Sequence, residues 1–204
     1  MGSTKDKAES QNHRHLVKNE KQQKEIYAML PYFQNAVVLG DSMAESILDY
    51  RLLRKHNVIG KRGRCIDMIG GDILVAASFQ PEVLFMVYGK NDISHFQGNP
   101  DVFIRIYQEQ IQKIRQLLPD TKIFINSIIP MRKDILDRVG RTAVLNRFNE
   151  SLRAMCEGTN LSFIDNAVLM EWQENDYEYD GIHPKYPYYP KWLRKMAQEA
   201  DLIG

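Results

Sequence analysis

The sequence predicts an α/β fold in which an open, doubly wound parallel sheet of about five strands carries helices on both faces. The first observation behind this prediction is that short β-branched or aromatic runs alternate with longer amphipathic segments, a pattern typical of βαβ units. The second is length, because 204 residues suffice for one domain with a full core and are few for two. The third is the lack of any fixed repeat, which excludes repeat architectures.

The N-terminal segment differs in composition from the rest of the chain. Residues 1–24 are rich in Lys, Glu, Gln, Asn and His and nearly free of apolar side chains, so they cannot bury enough surface to order themselves. We therefore expect residues 1–34 to form a polar tether or an exposed helix and residues 35–204 to form the folded domain. The opening MGSTKDKAESQ lacks the regions of a signal peptide and resembles a cloning remnant, so we expect that a native leader or anchor has been removed.

Four strands are predicted from runs of apolar residues, at positions 36–39, 83–88, 122–129 and 161–164. Each run is nearly continuous rather than alternating with polar residues, which indicates a sheet that is buried on both faces. A further strand is expected before the glycine-containing loop GKRGRC. Together these segments give the predicted parallel sheet.

Three helices can be bounded from the sequence. Asn99 caps the first, Pro100 occupies its first position and Pro119 ends it. The second runs from about Arg141 to Gly158, a residue suited to a left-handed C-terminal cap. The third covers about residues 188–200. The side chains expected to face the core are Phe103, Tyr107, Ile111, Ile114 and Leu118 in the first helix, Leu145, Phe148, Leu152 and Met155 in the second, and Trp192, Leu193 and Met196 in the third.

Composition excludes several classes of partner. A net charge of +1 gives no field that would gather nucleic acid or a membrane surface. No apolar run of about 18 residues is present, so no spanning helix is expected. The two cysteines, Cys65 and Cys156, lack metal-ligand spacing and predict neither a zinc site nor a disulfide framework. A small-molecule or surface-group substrate remains by default.

The stretch VVLGDSMAES, residues 37–46, places a small residue, an acid and a hydroxyl where the first strand ends. It is either a simple turn or the site of a nucleophile, Ser42. Residues 89–92 follow another predicted strand, and the loop SIIPMRK follows a third. Because ligands bind at the carboxyl ends of strands in such sheets, all three segments are expected to meet at one edge.

A serine needs a base to act as a nucleophile at neutral pH, so the five histidines are candidates. His183 stands three residues after Asp180 in DYEYDGIHPKY, a spacing that lets the carboxylate bond one ring nitrogen and leave the other free as a base. Taken alone, this spacing is explained equally well by an Asp turn with an exposed histidine. The other histidines fit simpler roles: His13 and His15 in the polar tail, His56 at a helix end and His95 on a surface loop.

Ester chemistry also needs donors for the oxyanion that forms when the carbonyl is attacked. Asn91 in YGKND can supply a side-chain amide, Gly63 in GKRGRC can present its backbone N–H, and the Ser42 N–H is a third candidate. Each has a simpler explanation, since Asn and Asp after a strand commonly form turns and Gly60 and Gly63 shape a loop.

In combination and in this order, GDS, a glycine loop, GKND and DGIH resemble the SGNH hydrolase family, also called GDSL esterases and lipases. The first block reads GDSM rather than GDSL, an apolar exchange. The resemblance implies a three-layer αβα, flavodoxin-like fold and an ester hydrolase without metal or cofactor. It also implies roles by position: Ser42 as nucleophile, His183 as general base and acid, Asp180 as the residue that orients His183, and Ser42, Gly63 and Asn91 as oxyanion donors.

The expected substrate is a short acyl ester, most simply acetyl, on a carbohydrate or cell-envelope polymer, because no long apolar lid is evident. Residues next to the motifs are candidates for substrate contact: Asp41, Met43, Lys90, Met131 and Ile182. Five basic residues form either a positive rim or a solvated face: Lys61, Arg62, Arg64, Lys90 and Arg132. The aromatic residues around DGIH are expected mostly to pack the loop rather than to stack on sugars.

Three alternatives stay open. The same residues would serve an acyltransferase, a lysophospholipase or thioesterase-like acylhydrolase would share the fold, and a silent glycan-binding module would be expected to lack Ser42, His183 or Asn91, all of which are present. The segment YPKWL resembles bacterial, surface-anchored members of the family, so an extracytoplasmic location is expected. The oligomeric state is left open.

Overall fold

A computed structural model describes residues 28–138 and 142–203 of the chain. Five strands form one sheet: β1 (Ala36–Gly40), β2 (Val58–Gly60), β3 (Val83–Val87), β4 (Lys122–Asn126) and β5 (Leu161–Ile164). Seven α-helices lie within the described residues: α1 (Ser42–Asp49), α2 (Gly70–Ser78), α3 (Asp92–His95), α4 (Pro100–Leu117), α5 (Lys133–Arg138), α6 (Thr142–Cys156) and α7 (Tyr188–Glu199). Short 3-10 helices cover Leu30–Phe33, Lys55–Asn57, Ile66–Met68, Ala167–Leu169 and Glu174–Asp176.

All four strand pairs are parallel, and the spatial order is β2-β1-β3-β4-β5. In β1, Val38 lies between Val58 of β2 and Phe85 of β3. This order is the flavodoxin-like one, whose reversal of direction falls between β1 and β3. The carboxyl ends of β1 and β3 therefore flank the crevice where such folds bind ligands.

The core has two halves, one on each face of the sheet. On one face, strand residues such as Val38 and Phe85 pack against α1 and α7, with Trp192 and Met196 buried. On the other face, strand residues such as Leu39 pack against α2, α4 and α6. Alternate residues of each strand thus point to opposite layers. The predicted doubly wound α/β fold, with its three αβα layers, is confirmed.

The predicted helices occur with small changes in their ends. The side chain of Asn99 caps α4 and accepts from the N–H groups of Asp101 at 3.1 Å and Val102 at 3.3 Å. After α6, Gly158 has φ 67°, the left-handed conformation expected of it. All the side chains predicted to face the core in these three helices are buried. Arg141, where the second helix was expected to begin, lies outside the described residues.

The predicted strand 122–129 is too long, because β4 ends at Asn126. Beyond it, the side-chain amide of Asn149 replaces a neighbouring strand: its Oδ1 accepts from Ile128 N–H at 2.7 Å and its Nδ2 donates to Ile128 C=O at 2.8 Å. A side chain of α6 thus takes the place of a strand partner beyond the end of β4. A local pattern of apolar residues does not indicate such a contact.

Most of the predicted N-terminal tether lies outside the described residues, as do His13 and His15. Within it, Met29 and Phe33 are buried in the core on the face of α1 and α7. None of the described helices combines the length and the apolar character needed to cross a membrane.

Candidate active site

The GDS segment forms the junction between β1 and α1. Gly40 is required by packing, since a Cβ there would lie 2.8 Å from both Ala44 Cβ and the Val87 carbonyl oxygen. Asp41 caps the helix, its Oδ1 accepting from Met43 N–H at 2.8 Å. Ser42 is the first residue of α1 and is 8% exposed. The sharp change of direction therefore presents the serine at the carboxyl edge of the sheet.

His183 lies between Ser42 and Asp180. Its Nε2 is 2.8 Å from Ser42 Oγ, and its Nδ1 is 2.6 Å from Asp180 Oδ2. With the Nδ1 proton donated to the carboxylate, Nε2 is left as an acceptor for the serine hydroxyl. Ser42 and His183, which are 141 positions apart in sequence, are thus joined with Asp180 in one chain of hydrogen bonds.

The second oxygen of Asp180 holds the turn that carries His183. Oδ1 accepts from the N–H groups of Ile182 at 2.8 Å and His183 at 2.9 Å, and Gly181 adopts φ 67° between them. Two further contacts hold this turn from outside: Arg132 N–H donates to Gly181 C=O at 2.7 Å, and Lys90 Nζ donates to Ile182 C=O at 2.6 Å. The imidazole therefore sits on a turn that is fixed from several sides.

The three candidate oxyanion donors come from three adjoining segments. Ser42 N–H has no intrahelical acceptor, because it is the first residue of α1. Gly63 lies in the turn closed by Arg64 N–H to Lys61 C=O, has φ 72°, and its N–H has no acceptor among the described residues. Asn91 Nδ2 makes two longer contacts, 3.2 Å to Arg64 C=O and 3.4 Å to Asp41 Oδ2.

The two glycines of the GKRGRC loop have different surroundings. A Cβ on Gly60 would lie 2.4 Å from Glu45 N, so this glycine allows β2 to approach α1. A Cβ on Gly63 would meet nothing within 4 Å, and only its positive φ favours glycine there. Gly60 is thus explained by packing, which leaves Gly63 as the candidate donor of this loop.

Comparison with known proteins decides the family. The model of the GDSL-like lipase/acylhydrolase family matches residues 38–189, well over half of the chain. The chain belongs to this family. The match spans all five strands except the first residues of β1, together with Ser42, Gly63, Asn91, Asp180 and His183. The predicted enzyme class, an SGNH-type esterase, is confirmed.

Solved structures share the fold at low sequence identity. A GDSL-like lipase from Parabacteroides merdae is 17% identical with a TM-score of 0.66, covering 83% of this chain and 97% of that one. A carbohydrate esterase of family 3 from Talaromyces cellulolyticus is 16% identical with a TM-score of 0.63, covering 81% and 95%. An acetyl esterase solved with an acetate ion is 15% identical with a TM-score of 0.63, covering 81% and 95%. No curated protein matches this GDSL-like chain.

The electrostatics of this GDSL-like site favour an ionised Asp180. Partial burial raises the pKa of Asp180, but the hydrogen bonds from the backbone and side chain of His183 and from Ile182 outweigh it, so the pKa lies below its usual value. The carboxylate is therefore charged at neutral pH and able to stabilise an imidazolium on His183.

A second pair of charges is buried beneath the site. Burial raises the pKa of Asp41 and lowers that of Lys90, while each partner's charge opposes these changes. Asp41 precedes the serine, and Lys90 holds the His183 turn through Ile182. Lys90 also interacts with the charge of Asp180. Lys90, which precedes Asn91, thus links the turn of His183 to Asp41, which precedes Ser42.

The residues expected to contact substrate are mostly enclosed. Asp41, Met43, Lys90 and Met131 are buried, and Ile182 is half-buried. Asp41, Met43 and Lys90 line a cavity of about 20 Å³, which is room for a single water molecule. The roles of Asp41 and Lys90 seen here are capping and loop attachment, and a substrate contact for any of the five stays a prediction.

The expected positive rim is largely neutralised. Arg62 lies 3.3 Å from Glu45 and 2.5 Å from Asp49, Arg64 pairs with Asp72 at 2.8 Å, and Arg132 pairs with Asp134 at 2.5 Å. Lys90 is buried. The alternative interpretation, a surface of solvated and paired charges, describes these residues better.

Neither cysteine of this enzyme is a candidate nucleophile. Burial, with help from the charges of nearby carboxylates, raises the pKa of Cys65 to about 12, and burial raises that of Cys156 to about 11. Both are free thiols. The aromatic residues near DGIH mainly pack, as expected: Tyr177, Tyr188, Tyr189 and Trp192 are buried, whereas Tyr179 is fully exposed.

We expect the free energy of unfolding to fall as the pH rises from about 4 to about 6, because of Asp92. Its Oδ1 accepts from Ile66 N–H at 2.7 Å, its Oδ2 has no partner, and burial raises its pKa from 3.8 to about 6. Between these values the folded state holds a proton that the unfolded chain releases, a contribution on the order of 3 kcal/mol. The free energy of unfolding, measured by denaturant titration at several pH values between about 4 and 6, should depend less on pH for Asp92→Asn than for the wild type. The exposed control Asp120→Asn should keep the pH dependence of the wild type. Equal pH dependence of the two variants would contradict the assignment.

Proposed function

We propose that Ser42, His183 and Asp180 form a catalytic triad with which this esterase removes short acyl groups, acetyl above all, from a carbohydrate or cell-envelope substrate. The observation that supports this most directly is the chain of contacts from Ser42 Oγ to His183 Nε2, 2.8 Å, and from His183 Nδ1 to Asp180 Oδ2, 2.6 Å. Nucleophile, base and orienting carboxylate are all within the reach that acyl transfer requires.

In the proposed first step, His183 Nε2 accepts the proton of Ser42 Oγ while the oxygen attacks the ester carbonyl. The new oxyanion accepts hydrogen bonds from the N–H groups of Ser42 and Gly63 and from Asn91 Nδ2. The long contacts of Asn91 to Arg64 and Asp41 can be exchanged for a bond to this anion. His183 then gives its proton to the departing alcohol, which leaves an acyl-enzyme on Ser42.

The proposed second step repeats this sequence with water. His183 removes a proton from the water as it attacks the acyl carbonyl, and returns the proton to Ser42 Oγ when the acid leaves. Asp180 stabilises the imidazolium in both steps without itself accepting the proton. Its lowered pKa is consistent with that role.

The preference for a short acyl group is supported by the solved structures that share the fold. The cavity lined by Asp41 and Met43 is about 20 Å³, and cavities of about 620 and 370 Å³ lie along α7 and between α4 and α6. Ser42, His183 and Asp180 line none of these three cavities. The carbohydrate esterase and acetyl esterase that share the fold are consistent with this substrate class.

The test is hydrolysis of p-nitrophenyl esters from acetate to octanoate, followed by acetate release from an acetylated polysaccharide. We expect kcat/KM to be highest for acetate and to fall as the chain lengthens, with Ser42→Ala giving the background rate. A higher kcat/KM for octanoate would contradict the acyl preference. Acetyl transfer to a sugar acceptor without release of acetate would favour the acyltransferase alternative.

A further inference from the structure

We propose that Cys65, Asp67 and His95 form a binding site for a divalent transition-metal ion such as Zn²⁺. A thiolate, a carboxylate and an imidazole are the ligands that zinc takes in proteins, and three protein ligands with an open fourth position are a common arrangement. The three residues are outside the proposed triad. Metal binding itself does not depend on the proposed esterase mechanism.

The ligand atoms already converge. One atom of each residue lies within 4.8 Å of the other two, and His95 Nε2 is 2.7 Å from Asp67 Oδ2. Tetrahedral ligation at the usual Zn–S and Zn–N or Zn–O lengths places ligand atoms about 3.3–3.6 Å apart. Small rotations of the exposed side chains are therefore enough to close the site.

The backbone segments that carry these ligands are joined to each other. Cys65 and Asp67 belong to the 3-10 helix Ile66–Met68 and its N-cap, and His95 is the last residue of α3. Asp92, the first residue of α3, accepts from Ile66 N–H at 2.7 Å. Because this bond holds the two elements in register, the ligands are positioned in the absence of an ion.

Charge and exposure also suit a cation. The side chains of Asp67 and His95 are about one-third exposed, at 34% and 35%, which gives an ion a path from solvent and room for a water ligand. Cys65 is buried among negative charges, those of Asp92, Asp67 and Asp41. On binding, the Cys65 thiol releases its proton to solvent and His95 Nε2 binds as the neutral nitrogen. Thiolate and carboxylate together then balance the charge of the ion.

The position of this site connects it to the proposed oxyanion hole, a consequence that does rest on the proposed function. Cys65 follows Gly63 by two residues, and its Sγ is 3.9 Å from Gly63 C=O. Asn91 is the N-cap of α3, which ends at His95. A bound ion would therefore fasten the loop of Gly63 to the segment of Asn91, and we expect it to raise the melting temperature.

The test is titration of the full chain with Zn²⁺ by calorimetry and with Co²⁺ by absorption, where a cysteine ligand gives a sulfur-to-cobalt charge-transfer band. Cys65→Ser should abolish the band, and His95→Ala should weaken Zn²⁺ binding by about 100-fold or more, since even outer partners of metal ligands contribute 10–100-fold. Cys156→Ser and His56→Ala are the matched controls and should bind as the wild type does.

Two further variants keep the proposal falsifiable. Replacing both His13 and His15 with Ala should leave binding unchanged; loss of binding in that variant would assign the ion to the N-terminal segment and overturn the proposal. If Cys65→Ser fails to fold, Asp67→Asn replaces it as the test, because Asp67 is partly exposed. Asp67→Asn should weaken Zn²⁺ binding without lowering the melting temperature of the metal-free protein. Equal affinity of wild type, His95→Ala and Asp67→Asn would also overturn the site.

Discussion

Replacing Ser42 with Ala should lower kcat for ester hydrolysis by about 10⁴-fold or more, and replacing His183 with Ala should cost about as much. Either change breaks the hydrogen bond between His183 Nε2 and Ser42 Oγ, through which the proposed mechanism removes the serine proton. Because the proposed mechanism has the two residues act in one step, the double variant should lose little beyond the larger single effect. Single-turnover and steady-state kinetics on p-nitrophenyl acetate would measure this.

The controls for these variants are residues of the same types elsewhere on the surface. The exposed residues Ser78, at the end of α2, and His56, in the 3-10 helix Lys55–Asn57, are suitable, and Ser78→Ala and His56→Ala should keep the wild-type kcat. Effects of Ser42→Ala and His183→Ala that simply multiply in the double variant would show that the two side chains act independently, which the proposed triad does not allow.

Replacing Lys90 with Met should lower kcat by about 10²-fold, with a much smaller change in KM. The buried ammonium of Lys90 donates to Ile182 C=O at 2.6 Å and lies near the charges of Asp41 and Asp180. Without it, the turn that carries His183 loses one of its two outer attachments, and a displacement of about 1 Å at a catalytic group is enough for a loss of that size. Methionine is close to lysine in length and apolar, so the core should still be filled.

A purely structural role for Lys90 would have a different signature. The melting temperature would then fall while kcat per folded molecule stayed unchanged, and that result would contradict a positioning role. Lys61→Met, at an exposed lysine of the neighbouring loop, is the matched control and should leave both kcat and the melting temperature close to wild type.

The sequence was sufficient for the fold class because each strand and helix carries its own periodicity. It was less informative where contacts between distant segments decide the outcome. Strand β2 has only three residues, Val58–Gly60, too few for a pattern, and β4 ends early because Asn149 of α6 occupies the backbone of Ile128. Both features come from tertiary contacts that a local pattern does not encode.

The candidate site shows the same division. GDS, GKND and DGIH could be found because each is a compact motif, and the structure brings Ser42, His183 and Asp180 together. The attachment of Lys90 to Ile182 could not be found, since its acceptor is a backbone carbonyl, which no residue type in the sequence marks. Two arginines expected to form a positive rim, Arg62 and Arg64, are paired with carboxylates from other segments, and no spacing in the sequence indicated those pairs.

The most direct test of the proposed mechanism is to treat the enzyme with a serine-reactive fluorophosphonate and map the modified peptide by mass spectrometry. We predict a single adduct on Ser42 in the wild type, formed in step with loss of esterase activity, and none in Ser42→Ala. Slow labelling of His183→Ala would reflect the missing base. Complete inactivation of the wild type with Ser42 unmodified, or with the adduct on another residue, would contradict the assignment of Ser42 as the nucleophile.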